Sequence, residues 1–303
     1  MIGLTSPDDA AVWRLDEARG LVVTTDFFTP IVDDAHDFGS IAAANSLSDI
    51  YAMGGTPFLA LNIAAIPEDL PIEIASAILR GGAEKAREAG VVIAGGHTIK
   101  DREPKYGLVA LGFVEPDRMM SKANLKPGDR LALTKPLGFG LVTTALKRDQ
   151  AAPEDVQEAV HWMKQLNQRA GRLALEFGVR SGTDITGFGL MGHAWEMAQA
   201  SSVRLEIDHQ ALPFLESAGK YASLGAFAGG LLDNYAYFGQ HIELPVQLEE
   251  PTRMMLFDPQ TSGGLLLGVP PAKAEPFTRR AQELGQSFWW IGDVKEGSGI
   301  RVK

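Results

Sequence analysis

Strand-like apolar runs alternate with longer helical patterns along this chain, and that alternation restricts it to an α/β or α+β architecture. Leu21 to Thr25 reads as a strand ending at Asp26. Asp37 to Met53 reads as a helix in which Phe38, Ile41 and Ile50 are apolar, Asn45 and Asp49 share a polar face open to a ligand, and Gly54-Gly55 is the stop. A helix from Ile72 to Gly90 leads into a strand at Val91 to Ala94, and Gly107 to Val114 and Arg130 to Thr134 read as two more strands. Val156 to Phe177 reads as one helix closed by Gly178, Thr186 to Ala200 as another, and Val203 to Ile207, Leu265 to Val269 and Ser287 to Ile291 as strands. Turn signals at Glu115-Pro116-Asp117 and Lys126-Pro127-Gly128-Asp129 divide the chain into residues 1–120 and 121–303. Leu231 to Pro251, the least regular stretch, is expected to be a loop over the site.

Acidic residues stand at expected turns and helix faces along the chain: Asp8-Asp9, Asp26 after Thr24-Thr25, Asp49 after Ser48, and Asp184 after Thr183. Two carboxylates about 4 Å apart repel by roughly 4 kcal/mol at an effective dielectric near 20, so a pocket that gathers several needs countercharge. Magnesium supplies it, taking a few carboxylates together with waters and substrate phosphates, and a nucleotide is the guest that such a set suits. Taken singly, each Asp is better explained as a helix cap or turn residue; only the set argues for a metal.

The 303 residues suffice for a large core and about two domains. Acids outnumber bases, 38 to 28, for a net charge of -10, which disfavours a general nucleic-acid binder. No apolar stretch reaches the roughly 20 residues of a membrane span, and no signal-peptide pattern opens the chain, so no membrane association and a cytoplasmic location are expected. The absence of Cys removes thiolate ligands and cysteine nucleophiles from this chain.

Two glycine-rich segments have two readings each. Gly95-Gly96-His97-Thr98 follows a strand, where small residues let backbone N–H groups approach an anion, although the Walker A spacing is missing and a strand followed by two glycines is more often an ordinary turn. His97 alone is more often a hydrogen-bonded structural histidine. Asp258 to Gly264 is either a capped loop or a substrate contact.

Together and in this order, Asp8 to Val12, Thr24-Thr25-Asp26-Phe27-Phe28, Ser48 to Gly55, Gly95 to Thr98, Thr183 to His193 and Asp258 to Leu266 resemble the selenophosphate synthetase (selenide, water dikinase) family over nearly the whole chain. The first two segments are shared with thiamine-monophosphate kinase, aminoimidazole ribonucleotide synthetase and a hydrogenase maturation protein; Phe27-Phe28, Ser48 to Gly55 and Asp258 to Gly264 are more specific. The resemblance implies a two-domain aminoimidazole ribonucleotide synthetase-like fold, a homodimer whose first domains join their sheets, and ATP bound with Mg2+ near that junction. Carried across, Asp9, Asp49 and Asp184 match magnesium ligands, Asp26 matches a carboxylate facing the metal-bound triphosphate, and Gly96, His97 and Thr98 match a nucleotide-binding turn. The implied reaction converts ATP, selenide and water to selenophosphate, AMP and phosphate. Family members also carry a glycine-rich leader with a Cys or selenocysteine and a Lys, whereas this chain begins a few residues before Asp8 and has no Cys. Lys135 fits a structural strand-end lysine as well as it fits a substitute. ATP binding is therefore better supported than turnover, and a non-catalytic magnesium-ATP-binding core or sensor, or a small-molecule kinase acting on a substrate such as thiamine monophosphate, stands beside the enzyme reading.

Overall fold

The computed structural model describes Gly3 and residues 8–303. The first half is built on a five-stranded sheet. Its elements in chain order are β1 (Ala11–Arg14), β2 (Gly20–Phe28), α1 (Ala35–Ala52), β3 (Thr56–Ile66), α2 (Ile72–Glu88), β4 (Val92–Lys100) and β5 (Lys105–Val114). The spatial order is β1-β2-β5-β3-β4, with β3 and β4 parallel through the α2 crossover and the other neighbours antiparallel.

Alternation decides which face of this sheet is covered. Val22, Ala60, Ala64, Tyr106, Leu108 and Ala110 are buried in the same core as Phe38, Ile41, Leu47 and Ile50 of α1 and Ile78 of α2. Cross-strand partners share a face, so Phe27, Leu61, Phe113, Val92 and Ile99 belong to the opposite one, where all are exposed, Val92 at 64% and Ile99 at 53%.

Helices α1 and α2 approach unusually closely because each supplies glycine at the crossing. A Cβ on Gly39 would lie 1.9 Å from the Ile78 carbonyl oxygen, and one on Gly81 would lie 2.0 Å from that of His36. The close approach fixes α1, whose N-terminus is capped by the Asp34 carboxylate accepting from Asp37 N.

The second half carries β6 (Arg130–Leu133), α3 (Phe139–Lys147), α4 (Pro153–Met163), α5 (Gln168–Glu176), β7 (Ser181–Asp184), α6 (Gly189–Ser201), β8 (Arg204–Ile207), α7 (Ala218–Ser223), α8 (Gly229–Phe238), β9 (Ile242–Glu243), α9 (Glu250–Met255), β10 (Leu265–Val269), α10 (Pro271–Leu284), β11 (Trp289–Lys295) and β12 (Gly299–Val302). Its seven strands are ordered β7-β10-β6-β11-β8-β12-β9. No helix among the described residues is long and apolar enough to cross a membrane.

Four sequence expectations change. The single helix over 156–177 is two, α4 and α5, because contacts distant in sequence hold the intervening residues: Lys164 pairs with Asp37, and Asn167 Nδ2 donates to Ser48 Oγ at 2.8 Å and to the Gly263 carbonyl at 2.8 Å. The glycines at 95 and 96 do not end their strand. They lie inside β4, where Gly96, at φ +152°, sits across a bulge from Asn62, and a Cβ there would meet the Asn62 carbonyl oxygen at 2.2 Å. The helix expected from Thr186 starts at Gly189. Leu231 to Pro251 begins as ordinary helix, in α8.

Candidate metal and nucleotide site

The carboxylates scattered along the sequence meet where the two halves touch. Asp9 precedes β1, Asp26 lies in β2, Asp49 is on the last turn of α1, and Asp184 ends the wholly buried β7. Three of the four have their own hydrogen-bonding support. Thr183 Oγ1 donates to Asp9 Oδ1 at 2.7 Å, Thr24 Oγ1 to Asp49 Oδ2 at 2.5 Å, and Asn45 Nδ2 to Asp26. The other end of the Asn45 amide accepts from Ser262 N at 2.7 Å, so one side chain of α1 orients Asp26 and fastens the 258–264 loop of the second half.

The buried carboxylates act on one another's charge. Burial, followed by the charges of Asp184, Asp9 and Asp26, pushes the Asp49 carboxyl well above its ordinary range. Burial and then Asp9 raise Asp184 to about 6. Asp9 is likewise raised to about 6, by burial first and against the Lys122 ammonium, which lowers it. Asp26 is raised by burial and by Asp184. A charge costs free energy in such a place unless something neutralises it.

Two buried oxygens, Asp9 Oδ2 and Asp184 Oδ2, find no hydrogen-bond partner among the described residues. Hard, unpartnered carboxylate oxygens are the donors that magnesium takes, so these residues fit that ion. Only Asp34, His36 and Asp37 bring three ligand atoms within 4.8 Å of one another among the described residues. Those donors are already engaged: Asp34 caps α1, Asp37 pairs with Lys164, and His36 Nε2 is 2.9 Å from Glu84 Oε2. The wider spread of the junction carboxylates suits cations that complete their shell with water and phosphate oxygens.

Not every residue singled out in the sequence joins them. Gly96, His97 and Thr98 lie on β4, three strands from Asp26 on β2, a separation of about 14 Å at ordinary strand spacing. Asp258 serves the fold: its Oδ2 accepts from Gly140 N at 3.0 Å and Leu141 N at 3.3 Å, while Gln260 Oε1 accepts from Gly138 N and Phe139 N, both at 3.1 Å. These two side chains thus satisfy the first free N–H groups of α3. Lys135 is also buried, its Nζ donating to the Gln165 and Ser262 carbonyls at 2.7 Å each, and burial lowers its pKa to about 7. Lys122, Glu196 and His193 were not anticipated as a group. Lys122 Nζ is 3.3 Å from Asp9 Oδ1 and 2.9 Å from Glu196 Oε2, and His193 Nδ1 is 3.2 Å from the same Glu196 oxygen. No spacing in the sequence links the three.

The raised carboxyls have a consequence for stability. Folded values above the ordinary 3.8 mean that the folded state holds protons more tightly than the unfolded chain does, so the contribution is full below about 3.8 and lost as pH rises through about 6 for Asp9 and Asp184 and about 7 for Asp258. The metal-free protein is expected to melt at a lower temperature at pH 8 than at pH 5, and magnesium to narrow that difference. Thermal melts at the two pH values with and without Mg2+ check this; a metal-free protein more stable at pH 8 would contradict it.

Comparison with known proteins agrees with the architecture. The AIR synthase related protein N-terminal domain matches residues 7–114 and the corresponding C-terminal domain matches 126–303. A selenide, water dikinase of Caldanaerobacter subterraneus subsp. tengcongensis is 48% identical over 297 residues, covering 98% of this chain and 86% of the relative. That of Pseudomonas aeruginosa is 45% identical, covering 100% and 87%. The solved structure of AaThiL complexed with AMPPCP and TMP superposes with a TM-score of 0.73 at 21% identity, covering 97% of this chain and 87% of that one, a likeness of fold. With two AIR synthase related domains in one fold and near half of its residues shared with such relatives along almost its whole length, the chain belongs to the selenide, water dikinase family.

Proposed function

We propose that this protein is an ATP-dependent dikinase that converts selenide, ATP and water to selenophosphate, AMP and phosphate, acting in the cytoplasm as a homodimer. The observation that carries the reading is the convergence of Asp9, Asp26, Asp49 and Asp184 from both halves, with two buried oxygens left without partners. In this reading residues 1–120 supply the nucleotide-facing sheet and residues 121–303 close the site from the other side.

Asp9, Asp49 and Asp184 would hold magnesium, and Asp26 would face the triphosphate beside it. Bound there, the ion supplies charge neutralisation at the phosphate oxygens. The chain's own part is positioning. Thr24, Thr183 and Asn45 hold three of the carboxylates in place, and the Asn45 bridge to Ser262 keeps the two halves in register around the triphosphate. Selenide is already ionised near neutral pH and is a strong nucleophile, so its attack on the γ-phosphoryl group calls on no general base. The dimer reading is supported by the uncovered apolar face of the first sheet, with Phe27, Leu61, Val92, Ile99 and Phe113 exposed. A second copy seated there is the arrangement that could bring Gly96, His97 and Thr98 of one protomer toward the carboxylates of its partner.

The AMPPCP of the ThiL structure supports nucleotide binding by this fold, and also keeps a small-molecule kinase as the competing reading. Anaerobic incubation with Mg-ATP, followed by chromatography of the nucleotides, separates them. Selenide-dependent AMP is expected, with ADP only transient; ADP formed with thiamine monophosphate, and no AMP with selenide, would replace the proposal.

A further inference from the structure

We infer that Lys122 is a built-in counterion of the metal-free site, seated between Asp9 and Glu196, which competes with a divalent cation for Asp9 and withdraws to Glu196 when the cation binds. The inference rests on the metal-site reading above and concerns how readily that site fills.

The backbone around Lys122 is pinned. Its N–H faces both oxygens of Asp8, at 3.1 and 3.3 Å, and its carbonyl accepts from Ser181 Oγ at 3.4 Å and Ser201 Oγ at 3.3 Å. Only the side chain is left to move, and its four methylenes give it reach. That side chain has two seats. Nζ is nearer to Glu196 Oε2, at 2.9 Å, than to Asp9 Oδ1, at 3.3 Å. The seats also differ in solvation: the Asp9 side chain is 3% exposed and that of Glu196 28%.

The two oxygens of Asp9 are not equivalent. Oδ1 receives Thr183 and Lys122, whereas Oδ2 is buried without a partner, as is Asp184 Oδ2. A divalent ion taken up by those free oxygens places two positive charges beside the ammonium. Like charges repel most strongly where water is excluded, so the ammonium gives up the buried seat for the wetter one. Lys122 is the sole salt-bridge partner of Asp9 among the described residues, facing a set that also includes Asp8, Asp49 and Asp184. One cation cannot neutralise that set. It can make the empty site tolerable and raise the metal concentration needed to fill it, so that the ion enters with the nucleotide's phosphates rather than alone.

Two substitutions act in opposite directions. Lys122→Met keeps the apolar stem and removes the competing charge, so Mn2+, used as the probe without nucleotide, is expected to bind at least about tenfold tighter, the equivalent of about 1.4 kcal/mol. Glu196→Gln removes the alternative seat, leaves the ammonium on Asp9, and is expected to weaken Mn2+ binding several-fold. Both are read from the free-Mn2+ electron paramagnetic resonance signal, with melting temperatures alongside: the metal-free Lys122→Met protein melts lower than the wild type and recovers with Mn2+. Lys122→Gln serves if the Met variant does not fold. A Lys122 variant that binds Mn2+ no tighter than wild type, or a Glu196→Gln protein with unchanged affinity, overturns the inference while leaving the metal site standing. Wild-type protein that takes up no Mn2+, with or without ATP, sinks both.

Discussion

Asp49→Asn is expected to leave the protein folded, and at least as stable as wild type without metal, while weakening magnesium-ATP binding by about a hundredfold or more. Asn has the same shape as Asp, and its amide oxygen can still accept from Thr24 Oγ1, which lies 2.5 Å from the carboxylate in the wild type. What disappears is a charge that burial and then Asp184, Asp9 and Asp26 all disfavour, so the apo protein is relieved of repulsion. The same charge is what a cation would pair with. Loss of a partner lying behind a metal ligand already costs roughly 10–100-fold in affinity, and loss of the ligand itself costs more. Calorimetric titration with Mg-ATP and a melt without metal test the two halves together. A variant that binds normally would remove Asp49 from the site, and one that fails to fold would show that its charge serves the core.

Gly81→Ala should do the reverse, lowering stability by roughly 1–3 kcal/mol or more and reducing nucleotide binding only as a consequence. A methyl group there would stand 2.0 Å from the carbonyl oxygen of His36, a backbone atom that cannot step aside without its helix. Moving α1 away from α2 shifts Asn45 and Asp49, which α1 carries, relative to Asp184 on β7. Gly39→Ala, aimed at the Ile78 carbonyl from the other helix, should act alike. Gly219→Ala is the control: it also lies in a helix, its Cβ would meet nothing within 4 Å, and helix propensity alone favours the change by up to about 1 kcal/mol. Urea unfolding of the three variants checks the contrast, and a Gly81→Ala protein as stable as the Gly219→Ala one would show that the helices can separate freely.

Much of the architecture could be read from the chain because local pattern and tertiary environment agree. Strand β2, helix α1, β5, β6, β8 and β10 follow apolar periodicity with caps and glycine stops, and two of the carboxylates the fold gathers, Asp26 and Asp49, lie on β2 and α1. Disagreement arises where a contact distant in sequence decides. The helical period runs on through Lys164 to Asn167, and only Asp37, Ser48 and Gly263 explain why the chain breaks there. Strand β3, the longest in the molecule at 11 residues, was not anticipated: Pro57 reads as a breaker, and the register shift beside it disturbs the alternation that marks a strand. Two glycines in succession read as a turn at 95 and 96, whereas pairing with Asn62 keeps them extended. The close α1–α2 approach and the Lys122–Glu196–His193 group left no trace in local sequence, since a glycine inside a helix or a lysine after a boundary has many ordinary explanations.

Phosphorus NMR of the protein with ATP, Mg2+ and selenide under anaerobic conditions tests the central claim most directly. A selenophosphate resonance rising in step with AMP and inorganic phosphate, and absent when selenide is omitted, is the predicted result. ATP that stays intact although calorimetry shows it bound, or ADP accumulating with no phosphorus–selenium signal, would contradict the dikinase reading.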